Sequence, residues 1–355
     1  MRIKAKEIAK ELGISEATVS LAINDRPGVK AETKKRVLDY IRKKEEEARI
    51  EDLNQKPTSD RGTVLMLNYI KSGDIMEHSD RYHRSTVAEP SPLDRKLAET
   101  VAKEGYRFQH WIFREKMQSL DKLFSECREF QVKGIYILAA EMRREDIYPF
   151  QRLKIPIVTG DNLFYAEGID SYLIDNREGI ARCVNYLVDK GHSHIVYLAE
   201  SIDIFNFVER REAFILEMAK RELGDASNRI RYLGKNVEEV CESMRQYLDR
   251  GLKSTTAFVL ESSVISLGVC KALMERQMRI PRDISLIGFD ALPPYSLPGI
   301  ELTIIKGTHT KRHLARVEHL LRHMKDENEE IVKVYYRTRL LEGNSVFDKT
   351  KYIYR

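Results

Sequence analysis

Ala9, Gly13 and Val19 have the types and spacing of a device that reads DNA without covalent chemistry. A small residue lets two helices approach, a glycine can take positive φ in the turn, and an aliphatic fills the space between them. Ile8, Ala9 and Leu12 fall on one face of a first helix, Ser15 can cap a second, and Val19 and Ile23 face back onto the first. Such a pair lays its second helix in a groove of the duplex, where side chains hydrogen-bond to base edges. A plain helical hairpin carries the same apolar spacing, so the flanking residues must decide.

Other constellations are weaker. His309/His313 and His319/His323 stand four apart, which puts two imidazoles on one helix face, but neither pair holds the Glu of an H-E-x-x-H site. They read as a basic, solvated helix, and no metal is expected. No G-x-G-x-x-G, Walker or G-x-S-x-G phrase occurs, so neither an enzyme nor a cofactor is expected. Cys127, Cys183, Cys241 and Cys270 are far apart and read as reduced, buried thiols.

The residues after the turn narrow the choice. Val19-Ser20-Leu21-Ala22-Ile23-Asn24, then Pro27-Gly28-Val29 and Thr33 to Val37, resemble the lactose-repressor (LacI/GalR) family of bacterial transcription regulators. So do Ile174-Asp175-Asn176-Arg177-Glu178-Gly179 and Leu187 to Ile195. The most specific phrase is Ile280-Pro281-Arg282-Asp283-Ile284-Ser285-Leu286-Ile287-Gly288-Phe289-Asp290. The resemblance implies that Thr18 and Ser20 contact phosphates, that Asn24 also contacts the DNA, and that Glu16, Ala17 and Leu21 face bases. Glu16 could accept from a cytosine amine, and Ala17 or Leu21 could cover a thymine methyl. At Glu16 a solvent-facing acid at a helix N-terminus remains the alternative. The resemblance also places Asp161, Arg210 and Asp290 against a small, sugar-like effector. Where relatives carry Asn-Asp, this chain has Ser262-Ser263, which weakens a sugar site and leaves Ser262 as the expected effector contact there.

Positioning these residues takes a whole architecture. The chain has 355 residues, 42% of them hydrophobic, enough for two or three domains. Its charge is only +5, yet residues 1–44 hold twelve Lys or Arg against six Asp or Glu, the excess that a phosphate-facing surface requires. The expected fold is an all-α helix-turn-helix domain, 1–44, with a third helix near Ala31 to Lys44. A linker follows at 45–61, and then an α/β body resembling the periplasmic binding proteins, 62–355. In that body apolar strands alternate with helices, as in βαβ units. The N-lobe is expected at about 62–160 plus 291–320, and the C-lobe at about 161–290 plus 321–348. Tyr69, just past the first strand, is expected to face the cleft. Residues 71–92 lack periodicity and read as a loop.

The linker departs from the family pattern, since acidic residues surround Leu53, the candidate minor-groove wedge, and no Pro-Asn precedes it. The polar opening and the lack of a long apolar run point to the cytoplasm, with no membrane partner. The expected partners are a near-palindromic operator duplex, a small effector and a second copy of the chain, as a homodimer or a tetramer. The leading reading is an effector-controlled regulator, a repressor. Its alternatives are a regulator without a small ligand and a solute-binding protein whose DNA segment has decayed.

Overall fold

The computed structural model describes residues 5–23, 28–30, 32–41, 61–72, 91–292, 296–307, 310–326 and 330–352. Asn24, Leu53, His309, residues 42–60 and residues 73–90 lie outside these, and so do the expectations placed on them. The chain divides into two compact units, 1–62 with 84–108 and 63–83 with 109–355.

The first unit opens with α1 (Ala5–Leu12) and α2 (Glu16–Ile23), followed by α3 over 32–41. Ile8, Ala9, Val19, Ala22 and Val37 form its core, with Leu12, Ile23 and Ile41 against them. The same unit holds α4 (Pro92–Ala102). There Ser91 accepts from the Asp94 amide while the Asp94 carboxylate accepts from the Ser91 amide, a reciprocal cap.

The second unit carries two six-stranded sheets. In chain order its elements begin with β1 (Thr63–Ile70), β2 (Arg107–Arg114), α5 (Leu120–Glu129) and β3 (Val132–Leu138). Next come α6 (Tyr148–Gln151), β4 (Ile157–Gly160), β5 (Asp170–Ile174), α7 (Asn176–Asp189) and β6 (Ile195–Glu200). They are followed by α8 (Phe205–Lys220), β7 (Ile230–Gly234), α9 (Val237–Asp249), β8 (Ala257–Leu260), α10 (Ser263–Glu275) and β9 (Ser285–Phe289). The chain then forms β10 (Thr303–Lys306), α11 (Thr310–His323), β11 (Lys333–Tyr336) and β12 (Arg339–Leu341). The strand orders are β11-β5-β4-β3-β1-β2 and β12-β10-β9-β8-β6-β7. β12 runs antiparallel to β10, pairing Leu341 with Ile304.

Strands covered on both faces explain the near-continuous apolar runs. In β6, Ile195, Tyr197 and Ala199 join one core with residues of α7 and α8, while Val196 and Leu198 enter another with residues of α9 and α10. β8 alternates the same way, with Ala257 and Val259 on the first side and Phe258 and Leu260 on the second.

Sheet pairing corrects the expected lobe boundaries. β5 pairs with β4, so the N-lobe runs on through Ile174, and β10 pairs with β9, which puts Thr303–Lys306 in the C-lobe. α11 packs on β3 and β4, and β11 pairs with β5, so 310–336 returns to the N-lobe. Apolar runs mark strands but not their neighbours, which hydrogen-bond register alone assigns. The chain therefore crosses between sheets at 175, between 307 and 310, and at 337–338. The Asp175 amide donates to the Tyr336 carbonyl at 2.9 Å, and the Thr338 amide and hydroxyl donate to Glu178 at 3.0 and 2.6 Å. Two of the three crossings are thereby laced together.

α9 and α10 lie close because Gly268 has no side chain, and a Cβ there would come within 2.5 Å of Val240 and 2.9 Å of the Val237 carbonyl. Gly268→Val should destabilise the chain by about 1–3 kcal/mol, since a backbone oxygen cannot move aside as a flexible side chain does. Urea unfolding measures it, and an unchanged midpoint would mean that the helices separate freely.

Candidate functional site

The helix pair is built from short-range chemistry. Gly13 takes φ +65°, and the Ile14 amide donates to the Ala9 carbonyl at 3.0 Å, which closes the turn. Ser15 Oγ accepts from the Thr18 amide at 3.1 Å, the expected cap of α2. Burying Val19 and Ala22 turns Glu16, Ala17 and Ser20 outward, with Thr18 and Leu21 half-buried. The Thr18 hydroxyl lies 2.8 Å from Ser15 Oγ. Lys30, Lys35 and Arg36 are exposed, and Arg36 also reaches the Leu12 carbonyl at the end of α1. The result is a convex helix face with one acid, a small apolar step and hydroxyls, flanked by cations. Sequence reasoning passed over Ala22, whose place three residues after Val19 was readable.

The second site lies at the carboxyl ends of the strands of the body. Asp161 follows β4 at φ +66° and pairs with Arg312 at 2.8 Å and Arg316 at 3.4 Å. Burial alone would raise its carboxyl, but the two guanidiniums hold it well below the usual range. Arg316, fully buried, also donates to the Tyr172 carbonyl at 2.8 Å and to Tyr136 Oη. It fits because Gly160 leaves room, since a Cβ there would sit 2.4 Å from the guanidinium.

In the C-lobe, Arg210 of α8 is 3% exposed. It donates to Asn176 at 2.9 Å and to the Glu261 carbonyl at 2.7 Å, lies 3.5 Å above the Phe289 ring centre, and comes within 3.9 Å of Asp290. Asp290 follows β9 at φ +69° with its carboxylate half exposed. Its charge favours the ionised form of Arg312 of the other lobe. Ser262 caps α10 and donates to Glu200. Arg211 holds the buried Glu261 at 2.8 Å.

Tyr69 does not reach this cleft. It lies inside β1, 1% exposed, packed against the rings of Phe113 and Phe150. The solvated-helix reading of α11 fails as well. His313 and His319 are buried, the first against Tyr136 Oη at 2.8 Å, since the helix lies on the sheet through the face that carries them. Arg312, Arg316, Glu200 and Glu261 were missed by sequence reasoning. The i, i+4 spacing of the two arginines was a usable signal, and the two glutamates follow apolar strands.

A helix-turn-helix head with a two-lobed body of this kind defines a DNA-binding transcriptional regulator, and the comparisons agree. Residues 4–45 match the model of bacterial regulatory proteins of the lacI family, and residues 184–346 match a periplasmic binding protein-like domain. The chain is 24% identical over 354 residues to the HTH-type transcriptional regulator MalR of Clostridium butyricum, covering 97% of this chain and 99% of that one. Its fold is similar to that of the transcriptional regulator CelR in complex with cellobiose, with a TM-score of 0.64 and 19% identity over 97% of this chain and 100% of that one. It is similar too to the lac repressor dimer bound to operator and the anti-inducer ONPF, with a TM-score of 0.64 and 16% identity over 98% and 100%. The chain thus carries a lacI-family helix-turn-helix domain joined to a periplasmic binding protein-like domain, as its regulator relatives do.

Burial, helped by the Glu261 charge and only partly offset by Ser262 and the arginines, pushes the Glu200 carboxyl up to about 8. Its Oε2 has no hydrogen-bond partner among the described residues. The folded chain thus keeps a proton that the unfolded chain releases, so stability falls as the pH rises from about 5 towards 8. The slope from this one group approaches ~1.4 kcal/mol per pH unit. Glu200→Gln, which stands in for the protonated acid, should flatten the fall in melting temperature over that range. Parallel wild-type and variant curves would show Glu200 ionised throughout.

Proposed function

We propose that this chain is a homodimeric repressor that works in the cytoplasm as a binding protein and not as an enzyme. Residues 1–44 read a near-palindromic operator, 45–61 link, and 62–355 sense a small effector. On α2, Glu16, Ala17 and Leu21 read bases while Thr18 and Ser20 hold phosphates. The outward set of Glu16, Ala17 and Ser20 over a sealed apolar core supports this reading. The lac repressor dimer bound to operator shares the fold, and a two-fold pair of heads calls for a two-fold site.

The effector is a compact polyol or sugar held between Asp161 and Arg312 on one lobe and Arg210 and Asp290 on the other. The observation that carries it is the meeting of charges from two separately folded sheets at the carboxyl ends of their strands. Carboxylates and guanidiniums there match paired hydroxyls, and CelR, which shares this fold, is bound to cellobiose. Effector binding then changes the angle between lobes about the three crossings, and with it the spacing of the heads. A second reading, DNA binding without a small ligand, draws on Ser262, whose hydroxyl is taken by Glu200 and the α10 cap.

Selection from random duplexes tests the DNA reading. Glu16→Gln should change the preferred site, whereas Lys35→Ala should weaken every duplex alike and lower the salt slope by about one. Equal loss on all sites from the Glu16 change would remove it from base reading. For the cleft, a sugar at a hundred times its Kd should stabilise the chain by about 2.7 kcal/mol. Asp290→Asn should abolish that gain while operator affinity persists. A panel of sugars without any stabilisation favours the ligand-free reading.

A further inference from the structure

His319 and His323 face Asp170 across the gap between α11 and β5. His319 Nε2 lies 3.0 Å from Asp170 Oδ1, His323 Nε2 lies 3.1 Å from Oδ2, and the two Nε2 atoms are 3.2 Å apart. Asp170 and His319 are buried, and the His323 side chain is 14% exposed. Three potential ligand groups thus converge within 3.2 Å of one another. A cation at the centre would meet all three groups.

We propose that Asp170, His319 and His323 bind a divalent transition-metal ion of the zinc class. Ligand atoms about 2.0–2.2 Å from a tetrahedral Zn²⁺ lie roughly 3.3 Å from one another, close to the separations found here. Two imidazoles and one carboxylate leave a fourth position, as in open zinc sites, and exclude the all-oxygen preference of Mg²⁺ or Ca²⁺. His319 also borders a cavity of about 500 Å³ shared with Tyr172, Arg322, Asp326 and Glu330, which admits the ion and a water or a further carboxylate. The Val332 amide donates to Asp170 Oδ1 at 2.6 Å and holds the carboxylate in place, the outer support such sites carry.

Arg322 donates to His319 Nδ1 at 2.6 Å. Coordination through Nε2 puts the ring's proton on Nδ1, so Arg322 has to turn away, and the Tyr172 hydroxyl is within its reach. The ion would fasten α11 to the β5–β11 edge of the N-lobe. The same helix carries Arg312 and Arg316, the partners of Asp161.

Untagged full chain, stripped with EDTA, is titrated with Zn²⁺ by calorimetry and with Co²⁺ by visible absorption. One ion per chain is expected, with the intense bands of four-coordinate Co²⁺. His323→Gln should weaken binding by about tenfold or more, and Arg322→Gln should bind as tightly as wild type or tighter. No saturable binding by the wild type, or equal binding by His323→Gln, overturns the proposal. If His323→Gln does not fold, ¹H–¹⁵N spectra of wild-type histidine rings decide between the same two outcomes. Zn²⁺ must move Nε2 of His319 and His323, and unmoved resonances overturn the proposal.

Discussion

Three passages of the chain between two parallel sheets constrain everything the body can do. The C-lobe is sealed on its own, since β6 and β8 are covered on both faces by their own helices. Among the described residues, 175, 307 and 337–338 lie on the passages that join the two lobes, and Glu178, at the start of α7, accepts from the Thr338 amide and hydroxyl in the third crossing. Thr338 and Arg182 overcome the cost of burial and pull the Glu178 carboxyl down to about 2, so that lacing stays charged at neutral pH. Two rigid bodies on a short, cross-braced hinge move by changing the angle between them and not by melting.

That constraint explains why charge collects where it does. The carboxyl ends of strands from both sheets converge beside the hinge, and polar groups placed there would lose water without compensation unless other protein groups held them. Asp161 has Arg312 and Arg316, Glu261 has Arg211, and Arg210 has Asn176, a carbonyl and the face of Phe289. Among the described residues here, Oε2 of Glu200 and the Nε atoms of Arg312 and Arg316 are the exceptions. A ligand entering here exchanges hydrogen bonds with groups already oriented, which favours selectivity over raw affinity.

The head obeys a smaller rule. Five buried residues hold three helices, so its stability rests on local caps and one turn: Ser15 on the Thr18 amide, and Gly13 at positive φ. Those features span only a few positions. The side of α2 that faces away from Val19 and Ala22 is free to vary without cost to the fold, and base-reading residues can change there.

This locality explains what could be read from the residues alone. The helix pair, the cap, the outward Glu16 and Ala17, the alternation of strands and helices and the family phrases around Asp175 and Asp290 all depend on neighbours within a few positions, where periodicity and turn chemistry dominate. Which sheet a strand joins, whether Tyr69 faces a cleft or a core, and which residue meets the His319/His323 pair depend on partners up to about 150 positions away. Asp170 and His319 share no local pattern and meet only because β11 closes the N-lobe sheet beside β5. The tertiary structure decided those questions through register and through the burial of one helix face, neither of which a stretch of sequence carries by itself.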